Sequence, residues 1–256
     1  MNLGDARVVL RPRSLPDVID LTLRVCHSTH LKAYAIWSSL TLLPAFLLCV
    51  AARVKLGWEW LGVWLLAVVL AGVLQGVFTI GASRLLFSRE VSTGQVLGRF
   101  LRRLPSYLLT LLILRVVMVC SFVLAPLVPF LPFVHEASLL EDASLRKAMS
   151  RTQKLTQRSL GRVIELALFS LAALAAAVVG AEVIGHTLAS FVLEIQTPLG
   201  SLWEEGGSVF ALAGLFIAVP YLATLRFLTY IDLRTRKEGW DLQLELSAIR
   251  AGEKAA

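Results

Sequence analysis

The sequence SVFALAGLFIAVPYLATLRFLTY (residues 208–230), followed directly by IDLRTRKEGWD (residues 231–241), decides the fold class. The first stretch has no charged residue before Arg226. A helix over the whole stretch, at about 1.5 Å per residue, crosses a bilayer core of about 30 Å. The second stretch is rich in charge and is costly to place in lipid. We therefore predict a membrane-spanning helix that ends at a charged, water-facing exit.

The composition of the whole chain agrees with a membrane protein. The 256 residues are 57% hydrophobic and 17% charged, whereas a soluble domain is about 45–50% apolar and about 25% charged. The apolar residues form blocks of about 20 residues separated by basic segments, which is typical of membrane proteins. The net charge is +7, and the Lys and Arg residues lie beside these apolar blocks. We therefore predict no nucleic-acid partner.

The apolar blocks predict an all-α, polytopic helical membrane protein with five full spans and a proline-broken return. Pro126, Pro129 and Pro132 interrupt the return at residues 125–137, which is either re-entrant or a short full crossing. The prediction is about six crossings in a single membrane domain (residues 1–256). Its parts are an N-terminal segment (1–32), a bundle (33–230) and a tail (231–256). The predicted full spans are residues 33–52, 60–80, 106–124, 163–184 and 208–230.

The distribution of basic residues predicts the orientation. Residues 1–32, 81–104, 137–162 and 226–256 hold 22 of the 25 Lys and Arg residues. In contrast, residues 53–59 hold two, and residues 185–207 hold none beside three glutamates. Since Lys and Arg accumulate on the cytoplasmic side, we predict that both termini and all four basic segments are cytoplasmic.

The N-terminal segment contains a helix start. Ser14 is followed by Pro16 and Asp17, a capping-box arrangement. Apolar residues then recur at three- and four-residue spacing, which predicts a short amphipathic helix. Two placements are open: the helix lies in the membrane interface, or it packs on the other cytoplasmic segments.

Three stretches carry a family resemblance: YIDLRTRKEG (residues 230–239) with Trp240 and Asp241, RPRSLPDVIDLTLRV (11–25) and EDASLRKAMSRTQKL (141–155). In this order the chain resembles the glycerophosphoryl diester phosphodiesterase membrane-domain family and its stand-alone relatives. The resemblance implies a helical domain of a bacterial inner membrane with about six crossings. Some members carry a fused catalytic barrel, for which this chain has no room, so the resemblance implies no enzymatic activity here.

Arg115, near the middle of the third predicted span, is the sharpest candidate site. A charge at this depth costs about 2.5–3.5 kcal/mol on insertion scales and needs a partner or water. Glu165 and Glu182 are candidate partners for this intramembrane polar contact. The alternatives are a polar pathway and a structural contact between helices.

Two candidate surfaces lie in the basic segments. The basic stripe, at helical spacing, predicts a contact with anionic lipid headgroups, although the orientation rule alone also accounts for it. The exit network predicts either docking on a partner or an ordinary solvated helix end, with i,i+4 pairs Asp232–Arg236 and Arg234–Glu238. The basic stripe is Lys147, Arg151, Lys154, Arg158 and Arg162, and the exit network is Arg226, Asp232, Arg234, Arg236, Lys237, Glu238 and Asp241.

The chain shows no recognisable catalytic, cofactor or metal motif. His27 and His30 have helical spacing, but no third ligand type is near them in the sequence. GxSxG, HExxH, Walker A and GxGxxG are absent. We therefore predict a non-catalytic assembly or accessory component without a cofactor, in contact with membrane lipids and with a membrane or cytoplasmic protein. The alternatives are a small transporter or channel subunit with a pathway near Arg115, and a lipid-modifying enzyme.

Overall fold

The computed structural model describes most of the chain. The described residues are 12–87, 91–119, 133, 134, 136, 139, 145–157, 159–192 and 200–238, with the backbone alone at 114–119, 145–147, 151, 192, 237 and 238. This part of the chain is helical and contains no strand. It includes four helices that are long and apolar enough to cross a membrane: Leu31–Leu56, Trp60–Phe87, Leu160–Phe191 and Val209–Arg236. The predicted all-α class is confirmed, and the four helices fit a membrane protein.

The helices follow one another with short connections wherever the structure describes them. A π-helical turn, Arg24–Thr29, continues the N-terminal helix. A second π-helical turn, Leu188–Val192, follows the helix Leu160–Thr187. The α-helices are α1 (Leu15–Leu23), α2 (Leu31–Leu56), α3 (Trp60–Phe87), α4 (Thr93–Val119), α5 (Leu145–Thr156), α6 (Leu160–Thr187) and α7 (Val209–Glu238).

Helix α1 begins as the sequence predicts. The Asp17 N–H donates to the Ser14 hydroxyl oxygen at 3.3 Å, and the Ser14 N–H donates to the Asp17 carboxylate at 3.1 Å. This capping box satisfies two backbone donors that the first turn leaves open. Val18 and Thr22, one turn apart, are buried. One face of α1 therefore packs on the protein, and a position of the helix in the membrane interface stays a prediction.

The third predicted span differs in its boundaries from the helix in the structure. Helix α4 begins at Thr93 and continues through Pro105 to Val119, so the last part of the basic segment 81–104 and residues 106–119 of the predicted span form one helix. A helix accommodates an interior proline by giving up one backbone hydrogen bond and bending locally. Helix α4 is not among the four long apolar helices. Residues 120–124 and most of the return at 125–137 lie outside the described residues, and the count of six crossings stays a prediction.

The chain divides into two compact units. Unit 1 comprises the described parts of residues 1–31, 76–166 and 223–256, and unit 2 those of residues 32–75 and 167–222. The single membrane domain predicted from the sequence therefore stays a prediction. Within unit 1, a Cβ on Gly76 would lie 2.9 Å from the Phe100 ring and 3.1 Å from the Tyr107 ring. Gly76 thus lets α3 and α4 approach closely.

Candidate polar centre

The polar centre of unit 1 is the carboxylate of Asp232 on α7. Its side chain is only 3% exposed, and it accepts hydrogen bonds from three segments. The Arg13 N–H donates at 2.7 Å, the Arg162 guanidinium lies at 2.9 Å, and Arg236 Nε donates at 3.0 Å. A buried carboxylate needs such donors, because transfer of an unpaired charge out of water is very costly.

The backbone carbonyl of Arg13 also belongs to this polar centre. Its carbonyl oxygen accepts hydrogen bonds from the guanidinium groups of Arg162 and Arg236, which both also contact Asp232. The residue before the α1 cap is therefore held through both its N–H and its C=O. Charge-assisted hydrogen bonds of this kind are about twice as strong as neutral ones, so the centre fixes Arg13 to α6 and α7.

The sequence predicted one of the three partners of Asp232. The i,i+4 pair Asp232–Arg236 is confirmed. The contacts of Asp232 with Arg162 and Arg13, which are distant in sequence, were not predicted, since helical spacing indicates only local neighbours. Arg162 belongs to the predicted basic stripe, and the structure directs its guanidinium to Asp232 within the protein.

Glu136 forms a second buried ion pair in unit 1. Its carboxylate is 3% exposed and lies 3.2 Å from Arg226 Nε on α7. Nearby, the rings of Phe133 and Tyr230 have centroids 6.0 Å apart, and the Arg234 guanidinium lies 5.8 Å from the Tyr230 centroid. Sequence reasoning missed Glu136. The signal was a carboxylate two residues after the apolar FLPFV segment (130–134), and such a carboxylate requires a partner.

A third contact involves residues 81–104, the remaining basic segment. The Arg103 guanidinium on α4 donates to the Leu139 carbonyl at 2.6 Å. Residues 81–104 are thereby joined to residues 137–162, which are joined through Arg162 to Asp232. Contacts within unit 1 therefore link all four basic segments of the chain.

The rest of the basic stripe and exit network is only partly described. On α5, Ala148, Thr152, Leu155 and Thr156 are buried and Lys154 is exposed, so this helix is amphipathic. The side chains of Lys147, Arg151, Arg158, Lys237, Glu238 and Asp241 lie outside the described residues. The lipid contact of the stripe and the Arg234–Glu238 pair thus stay predictions.

The predicted contact of Arg115 with two glutamates is also not tested, because the Arg115 side chain lies outside the described residues. The two glutamates belong to different units. Glu165 is an exposed residue of unit 1, whereas Glu182 is a buried residue of unit 2. Glu182 accepts from the Leu202 N–H at 2.8 Å and from the Ser208 hydroxyl, and His186 Nε2 lies 3.2 Å away.

These partners of Glu182 hold the connection between α6 and α7. The Ser208 hydroxyl donates to Glu182 and accepts from the Ala211 N–H at 2.9 Å, so it also caps α7. His186 Nε2 lies 3.1 Å from the Gly200 carbonyl. The buried carboxylate therefore acts as a structural contact for residues 200–208.

The connection between α6 and α7 also packs on the turn between α2 and α3, through Glu205. Glu205 accepts from Arg53 and from the Trp60 Nε1–H, both at 3.0 Å, and the Arg53 guanidinium lies 5.1 Å from the Trp60 ring centroid. Trp60 is buried, because Gly200 and Gly207 leave room for its ring. The adjacent Trp203 is 71% exposed.

The described residues offer no metal site: no group of three or more His, Cys, Asp or Glu side chains within them fits a metal ion. Comparisons with protein-family models, curated proteins and solved structures find no match. The resemblance to the glycerophosphoryl diester phosphodiesterase membrane-domain family therefore stays a prediction from the residues quoted above. Two of the three stretches that carry it meet in the Arg13–Asp232 hydrogen bond.

Proposed function

We propose that this chain is a multi-pass protein of a bacterial inner membrane with both termini in the cytoplasm. In this proposal it is a non-catalytic assembly or accessory component, and a stand-alone relative of the family that it resembles. Its working surface is the basic cytoplasmic side, which faces anionic lipid headgroups and a protein partner.

One observation carries the proposal. The segments that contact one another in the structure are the same segments that their content of basic residues assigns to one side of the membrane. The four basic segments are linked in unit 1 through Asp232 and through the Arg103–Leu139 hydrogen bond. The two segments assigned to the opposite side are linked in unit 2 by Arg53 and Glu205. The positive-inside rule depends on charge and the contacts depend on packing, so their agreement supports the orientation.

The orientation does not depend on the number of crossings. If the four long apolar helices α2, α3, α6 and α7 each cross once, they return the chain to the side where it began. A crossing at residues 106–124 followed by a return at 125–137 adds one passage in each direction. Both arrangements therefore leave the termini and all four basic segments on one side, and we propose the six-crossing arrangement.

The exposed face of α5 is the part of this surface that lipid headgroups would reach. Lys154 is exposed there, while the opposite face of α5 is buried. Each basic residue near an anionic membrane surface contributes about 1 kcal/mol of attraction. We therefore expect the stripe to enrich anionic phospholipids around the protein.

Lipid retention tests this proposal. The protein is extracted from vesicles of equal phosphatidylglycerol and phosphatidylcholine in mild detergent, and the retained lipids are quantified by mass spectrometry. We expect Lys154→Gln to reduce the retained ratio of anionic to zwitterionic lipid by up to about fivefold. Lys154→Arg, which keeps the positive charge at the same position, is the matched control and should leave the ratio unchanged. Equal ratios in the parent protein, or equal losses in both variants, would contradict the lipid contact.

Site-specific crosslinking tests the accessory role. A photoreactive amino acid replaces Ser150, which is exposed on α5, and in a second protein it replaces Lys55. After irradiation of intact cells, we expect a discrete crosslinked protein from position 150 and none of the same mass from position 55. No crosslink at position 150, or the same product at both positions, would contradict a partner on the basic side.

A further inference from the structure

We call residues 53–61 and 200–208 the connecting end of unit 2, because they form the turn between α2 and α3 and a part of the connection between α6 and α7. Two opposite charges of this end are paired with each other. Glu205 accepts hydrogen bonds from Arg53 and from the Trp60 Nε1–H, both at 3.0 Å. Such pairing lowers the cost of placing charged side chains next to lipid.

Large apolar side chains of the same end lie on the outside of the protein. Leu56, Leu61 and Trp203 are 68%, 73% and 71% exposed, and Trp58 is 43% exposed. These residues belong to both connections. Exposed apolar patches mark contacts with a protein or with a membrane. Tryptophan is enriched where hydrocarbon meets water, because its ring is apolar and its N–H is polar, so two exposed tryptophans favour lipid.

The length of α2 places the connecting end at the edge of the hydrocarbon core. Residues 33–52 carry no charge and lie between Lys32 and Arg53. As a helix they span about 30 Å, which is the thickness of the core. The headgroup regions add about 5–7 Å on each side of the core. The residues that follow Arg53 therefore enter the interfacial layer between hydrocarbon and water.

The backbone of the connecting end is compact. Gly57 has a φ of 66°, a conformation that glycine adopts readily, and the Trp58 N–H donates to the Ala52 carbonyl at 3.2 Å. The turn between α2 and α3 therefore folds back on the last turn of α2. The Trp64 Nε1–H donates to the Gly206 carbonyl at 3.0 Å, which holds the other connection against α3. Both connections thus stay close to the ends of the helices.

We propose that the connecting end of unit 2 lies in the interfacial layer of the bilayer, with Trp203 inserted among phospholipids at the level of their glycerol groups. Lys55, Glu59 and Glu204, which are exposed, extend from this layer into water. Because the inserted side chains are uncharged, phospholipids with neutral headgroups suffice for this contact. The proposal requires α2, α3, α6 and α7 to lie in the membrane, and it does not depend on which side of the membrane this end faces.

Fluorescence quenching in lipid nanodiscs tests the position of Trp203. The difference in emission between the parent protein and Trp203→Phe isolates the contribution of residue 203. We expect phosphatidylcholine that is brominated near the ester end of its acyl chains to remove most of this contribution, and aqueous iodide to remove little of it. Trp37→Phe is the matched control. Trp37 is 1% exposed within the protein, so its contribution should resist both quenchers.

Thiol labelling tests the turn between α2 and α3 without changing Trp203. In a chain without native cysteines, Leu56→Cys and Lys55→Cys are compared in the same nanodiscs with a water-soluble maleimide. We expect the thiol at position 56 to react several times more slowly, because an apolar layer keeps it protonated and only the thiolate reacts. Unfolding would expose both neighbours alike. The proposal is overturned if iodide quenches residue 203 more strongly than brominated lipid does, or if the two thiols react at equal rates.

Discussion

Arg162 at the start of α6 and Asp232 near the end of α7 form an ion pair of 2.9 Å, with side chains 17% and 3% exposed. This pair joins two of the four long apolar helices through their charged ends. Arg236 contacts the same carboxylate, so removal of Asp232 affects two cations.

We expect Asp232→Leu to destabilise the protein by about 3 kcal/mol, because it leaves Arg162 half-buried without its carboxylate. For a chain of this size the midpoint of thermal unfolding in detergent should fall by roughly 6–12 °C. The double variant Asp232→Leu with Arg162→Leu should recover part of the loss, because it removes both charges. Arg24→Leu, at an exposed i,i+4 pair, should change the midpoint by about 1 °C or less. An equal effect of Arg24→Leu and Asp232→Leu would contradict this ranking.

Gly207 in unit 2 lies against the Trp60 ring, and a Cβ there would approach the ring atoms to 2.6 Å. We expect Gly207→Ala to displace Trp60 and to cost about 1–3 kcal/mol, with a change in tryptophan fluorescence. Gly98→Ala is the control, since Gly98 lies within α4 and a Cβ there meets no atom within 4 Å. That substitution should stabilise the helix by about 0.5–1 kcal/mol. Unchanged stability and fluorescence in Gly207→Ala would show that the ring is not confined.

Local features of the fold were predictable from the sequence, since they depend on residues within one or two helical turns. The Ser14–Asp17 capping box, the Asp232–Arg236 pair and four of the predicted spans are examples. Each depends on helical periodicity or on the length of an apolar block. The continuity of α4 through Pro105 was not predictable in this way, because a proline favours a helix boundary without requiring one.

The partners of buried charges were the part that the sequence did not indicate. Asp232 with Arg162 and Glu136 with Arg226 join residues far apart in the chain. Charge patterns show that a carboxylate in an apolar region needs a partner, but they do not choose among the available arginines. Tertiary packing makes that choice.

Helix α4 provides a test of the crossing count. In the six-crossing arrangement Leu112, whose side chain is exposed, lies about 9 Å along the crossing that begins at Ser106. We expect a thiol at Leu112→Cys to be protected from water-soluble maleimide on both sides of the membrane. Leu101→Cys, on the exposed side of the same helix, should be labelled from the cytoplasmic side. Rapid labelling at position 112 would remove the third span and leave four crossings.

The sidedness of the basic segments can be measured with two matched lysine replacements. Lys55 follows α2 and Lys154 lies on α5, and both are exposed. In a chain without native cysteines, Lys55→Cys and Lys154→Cys are labelled in intact spheroplasts with a membrane-impermeant maleimide, before and after lysis. We expect position 55 to be labelled in intact cells and position 154 only after lysis. Labelling of position 154 in intact cells, or protection of position 55 until lysis, would contradict the proposed orientation.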